Sequence, residues 1–167
     1  MKKIILDCDP GQDDAVALAL AMAAKDEFKL LGVTTVAGNV PLKLTQRNAR
    51  IMCEICHRPD VKVYAGADKP IVQELVTAEH VHGKSGLDGI DIYEPNHPLE
   101  EKHAVDFIIE ACLTADDNSI FLIPTGPLTN IGLAMKREPA ILPKIKEIVL
   151  MGGALKDVGD LSSAEDE

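Results

Sequence analysis

Apolar runs alternate along this chain with stretches of helical period, and the alternation predicts most of its elements. Residues 3–6, 28–36 (FKLLGVTTV), 61–64, 119–123 (SIFLI) and 146–151 (KEIVLM) are short, dense in Ile, Val and Leu, and read as buried strands. Helical spacing fills the intervals 13–24, 42–57, 101–113 and 127–136. The 13–24 helix is apolar on nearly every side, which predicts a well-covered position. In the second helix Leu44, Asn48, Ile51, Met52, Ile55 and Cys56 share one face, with Lys43, Arg47, Arg50 and Glu54 opposite. Val105, Ile108, Ile109 and Cys112 share a face of the third, and Pro127 suits the first position of the fourth. Strands bridged by helices in this order predict an α/β fold: an open, mainly parallel, Rossmann-like sheet with helices on both faces.

Two stretches break the rhythm. Residues 68–99 carry Pro70, Gly83, Gly86, Gly89, Pro95 and Pro98, and a long irregular segment inside a compact domain usually serves function. Residues 155–167 hold Asp157, Asp160, Glu165, Asp166 and Glu167 against one lysine, so a disordered acidic tail is expected there. The chain therefore divides into 1–154, part of a single domain, and that tail.

Composition narrows the function classes. The 167 residues are 46% hydrophobic and 26% charged, ordinary for a soluble globular protein. Aromatic content is 3% with no Trp, so the core rests on aliphatic side chains. A net charge of −10 and the lack of a basic stripe argue against a nucleic-acid partner. No run comes near the ~18 apolar residues that a membrane span needs. The N-terminus enters a strand at once, without the apolar core of a signal peptide, so a cytoplasmic protein is expected. Cys8, Cys53, Cys56 and Cys112 are then free thiols by default. Cys53-x-x-Cys56 lies within a helical pattern and has no second pair, unlike a zinc or redox motif.

The chemistry concentrates at Asp7-Cys8-Asp9-Pro10-Gly11-Gln12-Asp13-Asp14, directly after the apolar run Ile4-Ile5-Leu6. Carboxylates so close repel one another unless a cation, a proton or hydrogen-bond donors compensate them. Acids in a helix's first turn explain Asp13 and Asp14 but neither Asp7 nor Asp9. Oxygen ligands on a short turn suit a hard divalent ion, Ca²⁺ or Mg²⁺. Thr34-Thr35-Val36-Ala37-Gly38-Asn39, Pro124-Thr125-Gly126-Pro127 and Met151-Gly152-Gly153 also follow strands, and open parallel sheets bind ligands beyond such ends. Two competing motifs fit less well. Ala78-x-x-x-x-Gly83-Lys84-Ser85 resembles a phosphate-binding loop but lacks the strand before it and the helix after it. Asp7-x-Asp9 would suit an aspartyl phosphotransferase, yet Pro10-Gly11 and two further acids fit cation binding better.

Taken together, these residues resemble the nucleoside hydrolase family, the inosine–uridine-preferring N-ribohydrolases. The resemblance is carried by Leu6 to Ala15, Val36-Ala37-Gly38-Asn39, His82-Gly83-x-x-Gly86-Leu87, Thr125-Gly126-Pro127-Leu128-Thr129-Asn130 and Val149-Leu150-Met151-Gly152-Gly153. The His82 segment is similar to the bacterial pyrimidine-leaning members. The resemblance implies one Ca²⁺ ion held by Asp9, Asp14 and the backbone carbonyl of Thr125. It implies Asp9 as general base on a water attacking the sugar, with Asp13 and Asn39 on ribose hydroxyls. Met151 would line the ribose pocket, and His82 would sit near the base. The substrate would be a small ribonucleoside of the uridine, cytidine or inosine type, cleaved to ribose and free base. The full-length parent would be a homo-oligomer, dimer or tetramer. After the double glycine the chain departs from the family: Asp160 stands for a ribose-binding asparagine, a Glu-Phe-Asn triplet is missing, and so is a later His-Asp pair. The resemblance thus implies the N-terminal half of such an enzyme, whose isolated chain lacks activity or persists as a binding or interaction protein.

Overall fold

The computed structural model describes residues 1–153; the tail expected at 155–167, Asp160 included, lies outside the described residues. Strands β1 (Lys2–Cys8), β2 (Phe28–Thr35), β3 (Val63–Ala65), β4 (Leu99–Glu100), β5 (Ile120–Pro124) and β6 (Ile145–Ile148) form one sheet in the order β4-β3-β2-β1-β5-β6. Every pairing is parallel. The apolar strand runs follow from this: a parallel strand is covered on both faces, so it has no polar side to show.

Helices α1 (Gln12–Ala23) and α2 (Leu42–Ile55) cover one face, α4 (Ala104–Leu113) and α5 (Thr129–Arg137) the other, with the one-turn α3 (Glu79–His82) between them in sequence. Alternation along β1 sorts the core. Leu6 and Cys8 pack with Leu18, Met22, Ala49, Met52 and Cys53, whereas Ile5 packs with Val105, Ile108, Ile131 and Ile141. Each such fully buried Leu or Ile contributes roughly 1.5–3 kcal/mol relative to an exposed one.

Several sequence expectations shift. The first helix is not covered on nearly every side: Val16 and Leu20 are 69% and 65% exposed. They stand one turn apart on the side opposite Asp14, Leu18, Ala21 and Met22, which face the sheet. On α2 the buried residues are Thr45, Asn48, Ala49, Ile51, Met52 and Cys53, so Asn48, Ile51 and Met52 are covered as expected, whereas Ile55 is exposed. Pro127 precedes α5 rather than opening it, and a 3-10 helix at Pro139–Lys144, with Pro139 at its start, leads into β6. β6 stops at Ile148, three residues short of the apolar run. The 68–99 segment is largely irregular as expected, but it includes α3, and β4 at its end adds a pairing to β3.

The topology fixes where a ligand can bind. β1 leads outward through β2 and β3 on one side, and the chain returns to β5 and β6 on the other. The carboxyl ends of β1 and β5 therefore flank the switch point, where neighbouring connections diverge and leave a crevice. Register aligns them: Asp7 stands opposite Thr34 of β2 and Pro124 of β5.

Candidate active site

The acids of the first βα corner are divided among three structural positions. Asp7 closes β1, Asp9 lies just past it, and Asp13 and Asp14 enter the first turn of α1. Asp7, Asp9 and Asp14 are buried, while Asp13 is exposed.

Asp9 is held from three sides. Its Oδ2 accepts from the Asn39 backbone N–H at 2.7 Å, and the Asn39 side-chain Nδ2 donates to the Asp9 carbonyl at 3.0 Å. Gly38 and Gly126 press on the carboxylate from either side. A Cβ on Gly126 would lie 2.5 Å from Asp9 Oδ1, and one on Gly38 would overlap Oδ2. The glycines of the two strand-end motifs are there because a carboxylate occupies the space that their side chains would fill.

Asp14 lies near enough to Asp9 for each carboxyl to perturb the other. Its Oδ2 accepts from the Gly11 backbone N–H at 3.4 Å, closing the N-terminus of α1, but its Oδ1 is buried without a hydrogen-bond partner among the described residues. Burial pushes both carboxyls above the usual range. For Asp9 the neighbouring Asp14 charge adds to the rise, and for Asp14 the Thr125 side chain opposes it. Two adjacent buried carboxylates are stable only with a proton or a cation between them. The orphaned Asp14 Oδ1, the constrained Asp9 and the adjacent Thr125 form an all-oxygen donor set that fits a hard divalent ion. Among the described residues no group of three or more His, Cys, Asp or Glu side chains could hold a metal. This set is two carboxylates with backbone and hydroxyl oxygens.

Behind this pair lies a network that sequence reasoning missed. Asp7 Oδ1 accepts from Thr34 Oγ1 at 2.5 Å and from Asn130 Nδ2 at 2.8 Å. Asn130 also donates to the Thr35 carbonyl at 3.0 Å and accepts from the Ala67 N–H at 2.9 Å. Burial pushes Asp7 up to about 7 against those two hydrogen bonds. Asn130 stood in a quoted motif, but nothing along the chain indicates that it reaches Asp7.

The remaining expected site residues are spread unequally. Asn39 contacts Asp9 directly. His82 is on α3 rather than in a loop, with its ring over Gly11 and its Nδ1 2.6 Å from Gln12 Oε1. Gln12 carried no expected role. Asp13 borders the cluster from the exposed side of α1. Met151 is 51% exposed beyond β6, and its backbone N–H donates to the Pro124 carbonyl at 3.1 Å. No helix opens at Lys84-Ser85; Gly83 and Gly86 hold positive φ of 80° and 78°, so the phosphate-loop reading fails.

Known proteins resemble this chain in sequence and fold. The model of the inosine-uridine preferring nucleoside hydrolase family matches residues 4–166, running on past residue 154. The chain is 46% identical, over 98% of its length and 52% of the relative's, to the inosine-uridine preferring nucleoside hydrolase of Crithidia fasciculata. To the pyrimidine-specific ribonucleoside hydrolase RihB of Escherichia coli it is 48% identical, over 98% of this chain and 51% of that one. A solved purine-preferring ribonucleoside hydrolase from Gardnerella vaginalis superposes with a TM-score of 0.81 at 37% identity, over 92% of this chain and 49% of that one. The chain spans about half the length of the curated relatives it matches.

Proposed function

The chain belongs to the inosine-uridine preferring nucleoside hydrolase family, and from that premise we propose that it forms the ion-binding half of a ribonucleoside N-glycosidase. The substrates are ribonucleosides of the uridine, cytidine and inosine type, and the products are ribose and free base. The observation that carries this reading is the buried Asp9–Asp14 pair, with Asp14 Oδ1 unpartnered, at the switch point of the sheet.

Asp9, Asp14 and the Thr125 carbonyl would hold one Ca²⁺ ion. When bound, the ion supplies a positive charge that acidifies a water and attracts sugar hydroxyls. Asp9 takes the proton of the attacking water as general base, a role typically worth about 10²–10⁴-fold in rate. The Asn39 N–H on Oδ2 steadies Asp9 in its ionised form and fixes its direction. With its Nδ2 committed to the Asp9 carbonyl, Asn39 offers Oδ1 to a ribose hydroxyl. Asp13, exposed at the rim, accepts from another, Met151 lines the ribose pocket, and His82 faces the base. The attack passes through an oxocarbenium-like sugar, as in glycoside hydrolysis generally.

The same reading includes a cytoplasmic location and homo-oligomeric assembly, as dimer or tetramer, of the full-length form. No helix among the described residues is long and apolar enough to cross a membrane. The names of the relatives divide between purine, pyrimidine and mixed preference, so no base preference is carried over. A second reading, a non-catalytic binding or interaction protein, is favoured by Val149, Leu150 and Met151, about half exposed beyond the edge strand β6. Ribose release from uridine, cytidine and inosine separates the two. Joined to the family's remaining half, the chain should hydrolyse at least one nucleoside in a Ca²⁺-dependent way, and Asp9→Asn should abolish it. No release from any of the three would overturn the proposal.

A further inference from the structure

Gln12, the first residue of α1, reaches across to the segment that carries His82. Its Nε2 lies 3.4 Å from the His82 carbonyl and 3.1 Å from the Asp88 carbonyl, and its Oε1 lies 2.6 Å from His82 Nδ1. Carbonyl oxygens only accept, so the amide nitrogen must face the two carbonyls; the reversed amide would set oxygen against oxygen twice. The amide oxygen then faces His82 Nδ1. It too can only accept, so Nδ1 must carry the proton. A neutral imidazole so arranged has a bare lone pair on Nε2. Among the described residues Nε2 has no hydrogen bond. The same Nδ1–Cε1 edge of the ring rests on Gly11, where a Cβ would overlap Nδ1 and come within 2.6 Å of Cε1 and 3.1 Å of Asn39 Nδ2. Ring, amide and acidic corner therefore meet at one point.

We infer that Gln12 is a positioning residue that locks His82 in its Nδ1–H tautomer and presents a bare Nε2 to an N–H or O–H of the ligand above the acidic corner. The ligand's identity rests on the nucleoside reading; the tautomer does not. A neutral His82 held this way accepts a hydrogen bond. It gives a proton to a departing base only after the ring has taken a second one. His97 provides the opposite case within the same chain: its Nε2 lies 2.8 Å from the Val61 carbonyl, so its proton is on Nε2.

The test is ¹⁵N NMR of the histidine rings in the labelled chain, at a pH about two units above the ordinary histidine value. His82 should show a pyrrole-type Nδ1 and a pyridine-type Nε2, with His97 reversed. In Gln12→Leu the His82 shifts should move toward the Nε2–H tautomer while His97 stays fixed. Gln12→Glu, which keeps an acceptor, should restore the Nδ1–H pattern. An Nε2–H tautomer at His82 in the wild type, or His82 shifts unchanged in Gln12→Leu, would overturn the inference. Should Gln12→Leu lose the His97 signature by unfolding, the wild type and Gln12→Glu still decide. Failure of nucleoside hydrolysis with the tautomer intact sinks the catalytic reading alone; the reverse outcome sinks only this inference.

Discussion

Asn130 Nδ2 donates to Asp7 Oδ1 across 2.8 Å, joining side chains 123 positions apart at the ends of separate elements. Through the same side chain α5 is tied to the Thr35 carbonyl and to the Ala67 N–H, so one amide fastens the ends of β1 and β2 and the turn after β3. Asp9 follows two residues beyond Asp7, so the position of the proposed base depends on this joint.

Asn130→Ala removes three hydrogen bonds at a site with 0% exposure and leaves Asp7 with one donor. The expected loss is roughly 2–4 kcal/mol, because buried polar groups without partners lose their full solvation. Urea denaturation with a constant m-value checks it. A change within experimental error would show that the network contributes nothing to stability.

Asp14→Asn should act in two opposite directions. In metal-free protein it removes like-charge repulsion with Asp9, so the thermal midpoint should rise, by an amount equivalent to roughly 1–2 kcal/mol. Added Ca²⁺ should stabilise the wild type and leave the variant unchanged, since a ligand stabilises only what it binds. Melting curves with and without the ion provide both readings. A lower midpoint in the metal-free variant would contradict the repulsion.

Gly126→Ala puts a methyl 2.5 Å from Asp9 Oδ1 and 2.9 Å from its Cγ. The carboxylate must swing away or the strand end must shift, at about 1–3 kcal/mol of overpacking. Ion affinity should fall further than stability does, because the displaced group is itself a proposed ligand. Parallel calcium titration and denaturation of the variant compare the two effects.

The thiols should be sharply unequal. Burial pushes Cys53 up to about 12 and Cys112 up to about 11, it holds Cys8 well above the usual thiol range, and Cys56 is only half-buried. A thiol reagent at mildly alkaline pH should therefore modify Cys56 alone in the native chain and all four after unfolding. Fast modification of Cys53 together with Cys56 would revive a paired C-x-x-C role.

The fold and the clustering of acids at the first βα corner were legible because both are written locally. Parallel strands are covered on two faces and must be continuously apolar, and the helix dipole accounts for Asp13 and Asp14 but not for Asp7 and Asp9. What stayed hidden depends on distant partners. Whether Val16 and Leu20 are covered is decided by which elements pack over α1, not by their own helix. Gln12 gains a role only because the 79–88 segment folds back over it, and Asn130 only because α5 packs across the sheet from β1. The 3-10 turn at Pro139–Lys144 holds two prolines and leaves no periodic signal to read.

The most direct test is calorimetric titration of Ca²⁺ into the purified chain and into Asp14→Asn. The account predicts saturable binding of one ion by the wild type, weak and on the order of 10⁻⁴–10⁻³ M for so few carboxylates, and no binding by the variant. Absent heat in the wild type, or equal binding by both proteins, would contradict the account.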